Sequence, residues 1–74
     1  MPAKPKWALI ADQIREQITS GQLAPGDQLP STAQLRAKYG VSAGVVRQAI
    51  LVLQTQGWVQ GVHGLGVFVA ERPE

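Results

Sequence analysis

The chain contains no cysteine, so disulfides and thiolate–metal sites are excluded as staples and nothing points to an oxidising compartment. Long apolar runs are also missing. None approaches the roughly 20 residues that a membrane span needs, and Lys4 and Lys6 are not followed by an apolar stretch of signal-peptide length. The expectation is a soluble, cytoplasmic chain with no membrane partner. The most informative absence is one of sign. Acids stand at Asp12, Glu16, Asp27, Glu71 and Glu74, with none from 28 to 70, a stretch that carries Arg36, Lys38, Arg47 and His63. The net charge of +2 says little, but its placement says more: a surface approaching a polyphosphate gains from lacking acids, each of which repels it.

These absences also bear on chemistry. With one histidine and the acids divided between the two ends of the chain, no catalytic triad or metal cluster can be assembled from neighbours. Gly64-x-Gly66 lacks the third glycine and the strand–turn–helix context of a dinucleotide site. The sequence implies no enzyme, no cofactor and no metal.

What is present reads as one small domain. A chain of 74 residues buries only roughly 60% of the surface exposed when it is unfolded. After Pro5, Ile10, Ile14 and Ile18 recur at helical spacing, with Trp7 and Ala11 widening the stripe. Asp12 and Glu16 lie one turn apart on the other face, a mildly repulsive spacing. Gly21 suits the helix end. Pro25-Gly26 predicts a type II turn that lets Leu23 and Leu29 point back at the core, and Leu29-Pro30 keeps the chain extended. Ser31-Thr32-Ala33-Gln34 fits a capping box for a second helix, with Leu35 and Tyr39 inward and Gly40 ending it. Ser42 then caps a third helix over about 43–56, whose core stripe is Val46, Ala49, Ile50 and Leu53 and whose stop is Gly57. Two capped helices about so tight a connection make a helix-turn-helix. Trp58-Val59-Gln60 and Val67-Phe68-Val69 have strand composition and bracket a glycine-rich loop over 61–66. The fold class is α+β, mainly α: three helices followed by a two-stranded β-hairpin wing. The domain spans 7–70, between a flexible arm 1–6 and a tail or linker start 71–74.

From Trp7 to Val69 the chain resembles the N-terminal domain of GntR-type bacterial regulators. The matching pieces are Gly21-x-Leu23-x-Pro25-Gly26-Asp27-x-Leu29-Pro30-Ser31, Leu35, Tyr39-Gly40-Val41-Ser42, Val46-Arg47-x-Ala49-Ile50-x-x-Leu53, Gly57 and Gly64-x-Gly66-x-Phe68-Val69. The resemblance implies a winged helix-turn-helix that binds double-stranded operator DNA, palindromic and met by a homodimer. The third helix would lie in the major groove and the wing tip in the minor groove. It implies a transcriptional regulator, expected to be a repressor, with a ligand-sensing or dimerising domain commonly following. On this reading Ser42, Ala43, Gly44, Val45, Arg47 and Gln48 face the bases, Arg47 being placed to meet guanine bidentately. Ser31, Thr32, Arg36, Lys38, His63 and Gly64 lie near phosphates or the minor groove.

The chain departs from the family's pattern in one chemical direction. Alanine stands at Ala33 and Ala43, and leucine at Leu65, where relatives commonly place arginine; Val45 and Val67 replace hydroxyl residues. Three readings stay open: DNA binding with altered specificity, weak binding rescued by avidity, or a protein-binding winged helix. Leu51 and Val52, adjacent aliphatics where relatives are polar, form a candidate interface for the last; alternatively one of the pair packs inward.

Overall fold

The structure, a computed structural model, describes residues 4–71. Among these, the order is α1 (Lys6–Ser20), α2 (Thr32–Tyr39), α3 (Ala43–Thr55), β1 (Val59–Val62) and β2 (Gly66–Val69). α1 packs on α3 through Ile10, Ala11 and Ile14, which meet Ala49 and Leu53 in a core completed by Leu29 and Val59. Val46, Ala49 and Leu53 are fully buried, the i, i+3, i+7 set that a helix lays along one face. Ile18, Leu23, Tyr39 and Ile50 pack at the margin, half-buried.

Helix ends follow local chemistry. Ser31 Oγ accepts from the Gln34 amide at 3.1 Å while Gln34 Oε1 accepts from the Ser31 amide at 2.8 Å, a closed capping box. α1 begins at Lys6, so the expected arm is shorter than 1–6; its first three residues, like 72–74 of the tail, lie outside the described residues. Asp12 does not face Glu16 unaided. It accepts from Lys4 Nζ at 2.5 Å and pairs with Arg15. The Lys4 hydrogen bond holds the Asp12 carboxyl below its ordinary value; partial burial opposes the lowering, and the charges of Lys4 and Arg15 add to it. Arg15 also donates to Gln56 Oε1 at 2.9 Å, fastening α1 to the end of α3. The third helix stops at Thr55, with Gln56 as its cap.

Pro25-Gly26 forms the expected turn: the Asp27 amide donates to Ala24 O at 3.0 Å, and Gly26 takes φ +89, the conformation that a type II turn demands of its third residue. The pairing of the segment after it with β2 was not foreseen. The Gly26 amide donates to Val69 O, Asp27 O accepts from Val69, and the Leu29 amide donates to Val67 O, at 2.8–2.9 Å. Gln28 faces Phe68 across an antiparallel bridge. Gln28 thus forms an isolated bridge beside β2, and the sheet itself stays two-stranded.

The wing itself differs from expectation. β1 and β2 pair antiparallel with Val59↔Val69, Gln60↔Phe68, Gly61↔Val67 and Val62↔Gly66. The expected loop 61–66 therefore shrinks to His63, Gly64 and Leu65, closed by the Leu65 amide donating to Val62 O at 3.0 Å. Ladder bonds are made by the backbone, which glycine possesses like any residue, so two glycines at the expected loop margins join the ribbon instead. Trp58 precedes β1, and its carbonyl accepts from the Ala70 amide at 3.0 Å.

Candidate nucleic-acid interface

The N-terminal half of α3 is built to be both anchored and open. Ser42 is extended (φ −77, ψ 163), and its Oγ accepts from the Val45 amide at 3.3 Å. The core stripe turns Val46, Ala49 and Leu53 inward, which sends Gly44, Arg47, Gln48 and Leu51 outward at i, i+3, i+4 and i+7. Arg47 stands in this exposed stripe one turn inside the helix, with no side chain of its own sign before it on α3. Of the six residues expected to face bases, Ser42, Gly44, Arg47 and Gln48 are exposed, whereas Ala43 and Val45 are half-buried. Val45 packs against the core. A valine supplies methyls where a hydroxyl side chain would seek water, and the inward packing follows from that.

α2 adds its own N-terminal end. Ser31 and Thr32 are exposed, and Thr32 lines one depression with Arg47, Ile50, Leu51, Gln54 and Val67. Sequence positions 15 apart are thus brought side by side. Arg36 is exposed one helical turn after Thr32. Lys38 is not grouped with them: it lies roughly 120° round α2 from Thr32 by helical geometry. Its ammonium sits 5.4 Å from the centre of the Tyr39 ring, within the range of a cation–π contact.

At the wing tip His63, Gly64 and Leu65 are all exposed, Leu65 by 67%. The other exposed aliphatic of the interface question is Leu51, at 55%; its neighbour Val52 is half-buried. Leu51 continues the Arg47 stripe, so it is a part of the same face and not of a separate one.

Two residues that sequence reasoning missed lie against the wing. Gln28 Nε2 donates to the Leu65 carbonyl at 2.9 Å. The Gln54 amide of α3 lies against Gly61, close enough that a Cβ there would meet it at 2.9 Å. A glycine inside a strand is the local sign of a close approach, and Gly61 carried it. The acid-bearing helix is fastened elsewhere: Arg15 of α1 meets Gln56, which helical rise places about 18 Å along α3 from Gly44. Among the described residues there is no group of three side chains able to hold a metal ion, and no helix long and apolar enough to cross a membrane.

Three helices and a hairpin arranged in this way define a winged helix-turn-helix domain. Comparison with known proteins places it more closely. Residues 8–69 match the family model described as bacterial regulatory proteins, gntR family, and the chain belongs to that family, one of DNA-binding transcriptional regulators. It is 45% identical over 71 residues to the mannosyl-D-glycerate transport/metabolism system repressor of Escherichia coli (strain K12), covering 96% of this chain and 30% of that protein. It is 34% identical over 68 residues to the Uxu operon regulator of Haemophilus influenzae, covering 92% of this chain and 26% of that one. Among solved structures, the AraR DNA-binding domain in complex with operator ORR3 superposes with a TM-score of 0.90 at 35% identity, covering 93% of this chain and 83% of that one. The chain spans less than a third of the length of these two curated relatives.

Proposed function

We propose that this domain is the operator-reading part of a cytoplasmic, nucleoid-associated transcriptional repressor, and not an enzyme. α3 enters the major groove and the wing tip the adjacent minor groove. Arg47 reads a guanine, with Gly44 and Gln48 beside it, while the amides at the Ser42-capped end of α3 meet a phosphate. Ser31, Thr32 and Arg36 lie along the flanking backbone, with Lys38 a peripheral charge on another face of α2. His63 and Gly64 approach the minor groove. Ala43 and Val45, half-buried, contribute shape and methyl contacts to thymine. The operator is palindromic and is met by a homodimer, whose second contact is supplied by a part of the protein outside this chain that also senses an effector.

The observation that carries this reading is the outward stripe Gly44–Arg47–Gln48–Leu51, continuous with Thr32 in one depression and free of acids. An NMR titration with non-specific duplex DNA at low and high salt tests it. Shifts at 31–36, 42–48 and 63–66 that weaken with salt are expected, because phosphate contacts release counterions. Silence at those amides overturns the reading. It would leave the alternative that the exposure of Leu51 and Leu65 favours, a winged helix that binds a protein through its apolar residues.

A further inference from the structure

The wing tip has little to hold it. His63, Gly64 and Leu65 are exposed, and a two-stranded ribbon by itself is marginally ordered in water. One side chain from outside both the wing and the helix-turn-helix reaches it. The segment 26–29 is tied to β2 on both sides of Gln28, through Asp27 O with Val69 and Leu29 with Val67. That register brings Gln28 Nε2 to the Leu65 carbonyl at 2.9 Å. The path is clear because residue 66 is glycine. Gly66 takes φ +126, which side-chain-bearing residues rarely adopt, and a Cβ there would stand 2.7 Å from Gln28 Nε2.

We propose that Gln28 is a positioning residue for the wing: by holding the Leu65 carbonyl, it fixes the direction in which the Leu65 side chain is presented to the DNA minor groove. The inference rests on the wing being a DNA contact and adds the anchor that aims it. Direction matters here because of the side chain involved. Leucine has no hydrogen bond or charge with which to find a groove from a distance. An apolar side chain acts there as a wedge between base steps, which requires it to arrive in the right orientation. A long cation tolerates a loosely held backbone, whereas a short aliphatic wedge does not.

A double-mutant cycle on this chain tests the coupling, with Gln28→Met as a near-isosteric, uncharged loss of the donor. The probe is a fluorescein-labelled duplex of alternating TA steps, which kink readily, read by anisotropy at low salt. Leu65→Ala is expected to weaken binding about threefold to tenfold in the parent, the range of coupled neighbours, and by less than about twofold beside Gln28→Met. Backbone 15N relaxation is expected to show faster, wider motion at 63–66 in Gln28→Met, with the other amides unchanged. Gln28→Lys, which keeps a donor of similar reach, is expected to restore the tip's order. Equal effects of Leu65→Ala in the two backgrounds, or a tip unaltered by Gln28→Met, would overturn the proposal. The underlying reading fails separately: Leu65→Arg that changes neither affinity nor its salt dependence means that the wing does not meet DNA, whatever Gln28 does to the tip.

Discussion

Two helices of this domain are each preceded by a serine cap, and the two caps are closed to different degrees. α2 starts at Ser31, where hydroxyl and glutamine exchange hydrogen bonds with the backbone and close the box from both sides. α3 starts at Ser42, where a single bond of 3.3 Å reaches the Val45 amide and Ala43 and Gly44 follow, with no side chain long enough to fold back. At the first end both the Gln34 amide and the amide of Ser31 itself are bonded. The second leaves its leading amides and the positive end of the helix dipole open to an anion. What the pair teaches is that two serine caps can close a helix end to different degrees, one with two side-chain bonds and the other with one.

The comparison is most directly broken at Arg47, the cation that follows the open end. Arg47→Ala is expected to lose about 1–3 kcal/mol of discrimination between operator and scrambled duplex, with an unchanged melting temperature because the side chain is exposed. An anisotropy titration on the two duplexes beside a thermal melt measures both; a lowered melting temperature with intact discrimination would reverse the assignment. Ser31→Ala comes next. Removing the closed box costs about 1 kcal/mol of stability, several degrees of melting temperature in a domain of this size, with a loss of duplex affinity smaller than that of Ser42→Ala.

Ser42→Ala sharpens the contrast from the other side. Its loose cap predicts a smaller stability loss than Ser31→Ala, yet a larger loss of duplex affinity; the reverse order in paired melts and titrations would mean that the two ends are equivalent. Ala43→Arg, which restores a cation beside the open end, is expected to steepen the dependence of log affinity on log salt by about one unit. The smallest effect lies on α1, remote from both ends. Asp12 is held below its ordinary carboxyl value by Lys4. A group depressed in the folded state contributes stability above its unfolded value and loses it as pH falls through the folded one. A carboxyl 13C titration is expected to give Asp12 a midpoint below the ordinary aspartate value, and Lys4→Ala to raise it.

Much of this was legible because it is local. Pro25-Gly26, Ser31 with Gln34, and the 46–49–53 spacing each express their geometry within a few residues, and each appears where the spacing puts it. Strand composition gave the hairpin, and the family pattern added the expectation that its tip meets DNA. The Arg47 stripe was legible too, since burying one side of a helix exposes the other. What escaped were relations across the chain. Gln28 meets Leu65 over 37 positions and Arg15 meets Gln56 over 41, and no periodicity within either segment records its partner. The bridge from Gln28 to β2 escaped for a related reason: it is made by backbone groups, which every residue carries alike. Leu51 and Val52, adjacent and chemically similar, were separated by packing, one outward beside Arg47 and the other half-buried.

By itself, then, the sequence determined the three helices, their caps and turn, the inward stripe, and a middle region without acids, because propensity, capping and charge act over neighbouring residues. The tertiary structure alone decided that the wing tip is three residues long, that Val45 turns toward the core, and that Gln28 bonds the Leu65 carbonyl while Gln54 lies against Gly61. Those outcomes depend on which distant surfaces meet, and a hydrogen bond or a close approach between them exists only once the chain has folded.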